Sequence, residues 1–206
     1  MGQELQREWC AANAPTLPKG PLSARGAALY TQLDAGDELV LLVTAQWASV
    51  EQHHECIRSE INKRALTLVN PYIKAESVRI FHVEGIELFS DGEMVKVNGK
   101  PTLTAEWVTV VKYMVNVSQK AAFERGFGKA RAVLDAYTMP YVHGVGWKAE
   151  KEEGQETEEY VLVGGWDSEE KMQKFVKGSW EDTEKYLHPL MEFLIETEVK
   201  AHNRAV

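Results

Sequence analysis

The chain has 206 residues, 44% hydrophobic and 26% charged, with a formal net charge of −8. That is the balance of an ordinary soluble protein, long enough for one large domain or two of about 100 residues. The acidic excess argues against a nucleic-acid partner, which needs clustered Lys and Arg to release counterions, and against anionic membranes.

In chain order, residues 1–21 contain Pro15, Pro18 and Pro21 and read as an arm with a short helix around Leu5 and Trp9. Ser23 caps a helical spacing of Leu29 and Leu33 that Gly36 and Asp37 close. A strand over 39–47 then enters a helix from Ser49 to about Val69, which Pro71 ends. Residues 78–89 form a strand-like run interrupted at Gly85. Asp91-Gly92 and Asn98-Gly99 mark 90–106 as a linker with room for a hairpin around Val95 and Val97.

The run 107–117, WVTVVKYMVNV, is the strongest strand signal, β-branched and aromatic throughout. Phe123, Phe127, Ala130, Leu134 and Tyr137 follow at helical spacing up to Pro140. Residues 141–147 read as a short strand, 148–159 as a charged, solvated turn and 160–166 as a strand. A helix follows, broken near Gly178 and resuming at about Asp182. The tail 192–199 is ambiguous between helix and strand; if the chain is a repeat, it is the closing strand.

Two stretches match: LVLLVTAQWASVEQHHE at 39–55 and EYVLVGGWDSEEKMQK at 159–174. Setting Trp166 on Trp47 gives an offset of 166 − 47 = 119 and puts Ser168 on Ser49 and Glu170 on Glu51. Each helix start carries a capping signal, Ser49 with Gln52 and Asp167 with Glu170. The alternative is chance likeness of two strand–helix units. From residue 107 the order strand, helix, strand, strand, helix, strand gives the split βαβ, ferredoxin-like arrangement. The expected fold is therefore α+β: an arm (1–21), a first ferredoxin-like module (22–89) with a degenerate opening strand, a linker (90–106) and a second module (107–206). Helices on one face leave the other face of each sheet apolar, so the two sheets are expected to pack on each other as an α/β barrel.

Strand, then W-x-S-x-E, then helix, with His53 six residues after Trp47 and the strand start HGVGW at 143–147, resembles the dimeric α/β barrel superfamily, in particular its antibiotic-biosynthesis-monooxygenase-like branch. The resemblance covers roughly 22–89 and 107–200. It departs from the pattern in the weak opening strand of the first half and in Met172, where the first half has His53. It implies a pocket between sheet and helices or within the barrel, where enzymes without cofactors use a His or Tyr and aromatic walls. Members include oxygenases acting on polyketide-derived phenols, cyclases, decarboxylases, lactone isomerases and haem-degrading enzymes.

His143 is the first catalytic candidate. Alternation puts Tyr141, His143, Val145 and Trp147 on one face, and an imidazole there suits a general base acting on a phenol or carbon acid. A sheet-end His bonded to a loop carbonyl is the alternative. His82, two residues from Glu84, could form an oriented acid–base pair or equally a buried ion pair. His53 matches the family position often held by His in the first turn of a helix. Tyr113 and Tyr141 could orient a substrate and Trp147 could wall it, although core packing also accounts for Tyr113. Lys112 reads as a snorkelling Lys at an exposed edge.

No metal is expected, because His53 with Cys56 offers two ligands where zinc needs three or four. Cys10 and Cys56 stand in no CxxC spacing, and the first ten residues carry acids where a secretion signal would not, so a cytoplasmic setting is expected. Walker, GxGxxG, GxSxG and HExxH motifs are absent from the sequence. The expected function is a cofactor-independent step (cyclisation, isomerisation, decarboxylation or oxygenation) on a hydrophobic aromatic or polyketide-like small molecule of secondary metabolism, in a chain that leaves a homodimer open. The alternatives are a noncatalytic ligand-binding or stress-response barrel and a haem-binding or haem-degrading protein.

Overall fold

The computed structural model describes residues 27–33, 35–36, 38–86, 88–89, 99–151, 153–178, 185 and 188–205. The expected N-terminal arm, the Ser23 cap, Cys10, the hairpin around Val95 and Val97, and the helix resuming at Asp182 lie outside these residues.

Seven strands form one antiparallel sheet in the order β2-β1-β7-β4-β6-β5-β3. They are β1 (Ala27–Gln32), β2 (Leu41–Ala45), β3 (Val83–Glu84), β4 (Trp107–Asn116), β5 (Gly144–Lys148), β6 (Thr157–Trp166) and β7 (Leu194–Arg204). The helices are α1 (Val50–Arg58), α2 (Glu60–Val69), α3 (Lys120–Thr138) and α4 (Glu169–Val176). None among the described residues is long and apolar enough to cross a membrane.

The C-terminal half places β4, α3, β5, β6, α4 and β7 in the sheet order β7-β4-β6-β5, the split βαβ order expected for it. The N-terminal half differs from expectation. Its strands do not build a separate sheet: β1 and β2 extend the common sheet from β7, while β3 extends it from β5. The sheet curls into a half-barrel instead of two sheets facing each other.

The helix expected around Leu29 and Leu33 is strand β1. Tyr30 pairs with Leu42 on one side and Arg204 on the other, and long-range pairing overrides the local spacing. With the offset of 119, Ala27 falls on Gly146 (27 + 119 = 146), so β1 matches β5, the second strand of the later half, and not an opening strand. The single helix expected over 49–69 is two, because Ser59 adopts an extended conformation (φ −66°, ψ 148°) and its hydroxyl caps α2 at the Asn62 amide. Ser49 caps α1 as expected, accepting from the Gln52 amide at 3.1 Å, while the Gln52 side chain accepts from the Ala48 amide. At α4 the cap is Ser168, which accepts from the Lys171 amide, and not Asp167. Ser49 and Ser168 thus hold equivalent places 119 residues apart (168 − 49).

Period-two alternation along β4 sorts the core. Val111, Tyr113 and Val115 face Phe123, Phe127, Ala130 and Leu134 of α3, together with Met172 and Phe175 of α4. The other face of the sheet lines the inside of the curl, where Ala28, Tyr30, Val108, Val161 and Val163 are buried. Residues 99–106, read as linker, pack here: Leu103 and Ala105 are fully buried, and their carbonyls accept from the Tyr30 hydroxyl at 3.0 Å each. Burial pushes that hydroxyl's pKa up to about 12, against the opposing pull of Arg204. On β5, a Cβ at Gly144 or Gly146 would run into Leu88 and the Glu84 carbonyl, so glycine is what lets residues 83–88 lie against the strand.

His202 faces the inside of the curl with 3% exposure and no hydrogen-bond partner for Nδ1. Burial first, and then the charge of Lys200, drags its pKa down to about 4. The unfolded chain therefore binds more protons than the folded one between about pH 6.5 and 4, so stability falls as pH falls through that window and levels off below it. His202→Leu is expected to remove a stability slope on the order of 3 kcal/mol across the window, measured by urea unfolding at stepped pH.

Candidate functional site

Two expected site residues, His53 and His82, come together. His53 lies in the first turn of α1, which Ser49 starts, and His82 immediately precedes β3. His53 Nδ1 lies 2.6 Å from His82 Nε2, and His82 Nδ1 lies 2.5 Å from Glu150 Oε1. Glu150 also accepts from the His82 backbone amide at 3.1 Å through each oxygen, which fixes the carboxylate against this residue. Trp47 stacks on His53 with ring centroids 4.6 Å apart and planes 13° from parallel. His54 presents its ring edge-on to His82 at 5.8 Å.

The proton positions follow from donor counting. An ionised Glu150 can only accept, so His82 donates Nδ1–H to it. A neutral His82 then accepts at Nε2, so His53 donates Nδ1–H and keeps its Nε2 lone pair for a proton from elsewhere. Burial first, then the charges of His82 and His54, hold the His53 pKa below its ordinary value, with Glu150 opposing. For Glu150, burial favours the neutral acid, but hydrogen bonds from the His82 side chain and backbone outweigh it, and the carboxyl sits below its usual range. The result is a neutral base backed by a His and an anion, with an indole face able to stabilise the charge that protonation creates.

The other candidates lie elsewhere. Glu84, expected beside His82, is exposed and pairs across strands with Trp147, so Glu150 takes its place as partner. His143 precedes β5, at the opposite end of that strand from Glu150, and its side chain is fully buried on the α3 side. Its Nδ1 lies 2.9 Å from Asp135 Oδ1, off the line a hydrogen bond needs, and both ring nitrogens and that oxygen are buried without hydrogen-bond partners.

Tyr141 is not on the same face as Val145 and Trp147. It packs on the inner cluster, whereas they pack on the helix side. The alternation fails because regular strand begins only at Gly144. Trp147 donates to Glu124 at 2.8 Å beneath the Lys120 ammonium, and so does not wall the inside of the curl. Tyr113 is core between Phe123 and Phe127, and burial pushes its hydroxyl pKa up. Lys112 is not at an edge but midway along β4, the central strand of the sheet.

Glu150 sits in what reads as a solvated acidic turn, 68 residues from His82, so no local pattern marks it as a partner. Trp47 was singled out as a landmark, and its spacing of six to His53 was the available signal.

No family model and no curated protein matches the chain. The curled antiparallel sheet with α3 and α4 against one face defines an α+β half-barrel fold. Among solved structures it is similar to an anthrone oxidase-like protein (TM-score 0.60, 14% identity, covering 100% of this chain and 85% of that one). It is similar also to a candidate monooxygenase from Lactobacillus acidophilus (TM-score 0.58, 15% identity, 100% and 88% covered). A third is a candidate monooxygenase from Fusobacterium nucleatum (TM-score 0.58, 7% identity, 100% and 85% covered). At these identities the likeness is one of fold.

Proposed function

We propose that the chain is a cofactor-independent enzyme that begins oxygenation of an aromatic, polyketide-like small molecule by taking a proton from it with His53. The observation that carries this reading is the line Glu150–His82–His53 under the Trp47 ring. Oxygenation is chosen over cyclisation, isomerisation or decarboxylation because the fold neighbours bear oxidase and monooxygenase names.

An acidic methylene between aromatic rings loses a proton to His53 Nε2, giving an electron-rich carbanion. As the proton arrives, His53 passes charge through Nδ1–H to His82, where Glu150 balances it. The carbanion then reacts with dioxygen, so that the CH2 group and O2 become a carbonyl and water. His143, fully buried against α3, stays out of the transfer in this reading.

The same reading takes the N-terminal half as a divergent copy of the C-terminal one. The equivalent caps Ser49 and Ser168 support it. Met172, fully buried, fills with core the place that His53 opens to chemistry.

The test is oxygen uptake by the full chain, stripped of flavin, haem and metals, with anthrone as substrate. One oxygen consumed per anthrone, with the quinone as product, supports the reading. No uptake above the buffer rate contradicts it.

A further inference from the structure

Five charged side chains cross the inner face of the curl in alternating sign: Lys148, Glu159, Lys112, Glu198 and Lys200, from β5, β6, β4 and β7. The outer pairs are closed. Lys148 reaches Glu159 at 2.6 Å and Lys200 reaches Glu198 at 2.8 Å. Lys112 in the middle stays 3.7 Å from each carboxylate, beyond hydrogen-bonding distance, with the Phe81 ring 4.5 Å from its ammonium. Of the three Lys, Lys112 is the one with no carboxylate oxygen at hydrogen-bonding distance.

Along β4 the next inward side chain is Val110, opposite Val163, so an apolar wall adjoins this cation. The ladder also shares its chain segments with the His53 site. Phe81 touches the ladder and Lys148 belongs to it, and their close neighbours His82 and Glu150 belong to the relay.

We infer that Lys112 is a substrate-binding residue, anchoring the carboxylate or phenolate of an aromatic acid whose ring lies along the apolar inner face. The inference rests on the proposed function and narrows it, because the preferred substrate then carries an acid group, and a neutral arene such as anthrone is bound more weakly. A cation already neutralised at hydrogen-bond distance would have little to offer a ligand. One held at 3.7 Å from both neighbours can turn its N–H donors to an incoming oxygen.

Fluorescence titration of the full chain with anthracene-2-carboxylate and with the neutral anthracene-2-carboxamide tests this directly. The carboxylate is expected to bind about tenfold or more tightly than the carboxamide, with the preference shrinking as salt rises. Lys112→Met is expected to abolish the preference and Lys112→Arg to keep it, and Lys171→Met, which removes a cation of α4 outside the ladder, to keep it too. Circular dichroism establishes that each variant is folded. Equal binding of the two probes, no carboxylate binding, or loss of the preference in Lys171→Met equal to that in Lys112→Met overturns the inference. Neither probe has an acidic methylene, so turnover is not read. Failure of the relay leaves these titrations unchanged, and failure of the anchor leaves the oxygen assay to stand alone.

Discussion

His53→Gln is expected to lower oxygen uptake with anthrone by at least about a hundredfold, the low end of what a positioned general base contributes. Gln is chosen because its amide N–H can still donate to His82 Nε2, so the His82–Glu150 contact survives and only the basic nitrogen is lost. The pH profile separates this role from a structural one. Burial and the neighbouring His82 and His54 hold the His53 pKa below the ordinary histidine value. The base form therefore persists into mildly acidic solution, and the acid limb of kcat falls below about pH 6.5. Glu150 is the one neighbour that favours the protonated form of His53. Removing its charge in Glu150→Gln moves that limb further towards acid and lowers the rate. A limb at the ordinary histidine position, unmoved by Glu150→Gln, assigns the rate to another group.

Trp166→Ala is expected to cost about 3–5 kcal/mol of folding stability, as large aromatic truncations in cores do. Trp166 ends β6 at 1% exposure, with the rings of Tyr137 and Phe175 5.8 and 4.9 Å away. Its Nε1 donates to Thr109 Oγ1 at 3.1 Å, so truncation also strands a hydroxyl on a fully buried residue. Against a typical total of about 5–15 kcal/mol, this removes a large share of the stability. The measurement is the urea midpoint at constant slope; a loss under about 1 kcal/mol contradicts the packing described.

The parts of the fold legible in the sequence are those set by local chemistry. β4 announces itself through β-branched and aromatic residues, α3 through four buried apolar residues at helical spacing, and α1 through Ser49. Strand β1 carries a helical spacing in its sequence, and its identity rests on pairing with β7, where Tyr30 meets Arg204, because no local pattern reports a partner that distant. The break at Ser59 was hidden for the opposite reason: a side-chain cap can divide a helical pattern without a Gly or Pro.

The candidate site was half legible. His53 and His82 stand out by residue type, but their meeting depends on where β3 joins the sheet. Glu150 is one of many acids in a charged turn, and only the hydrogen bonds to His82 distinguish it. The environment of Lys112 required the register of four strands, so the sequence shows a lone cation in an apolar run and not the two carboxylates flanking it.

The central claim is that Glu150, His82 and His53 act as one proton relay. Long-range proton–nitrogen NMR correlation of the imidazoles near neutral pH tests it most directly. The expected spectrum shows neutral His53 with its proton on Nδ1, and Glu150→Gln shifts the nitrogens of both His82 and His53. A His53 protonated on Nε2, titrating identically with and without the Glu150 charge, contradicts the relay.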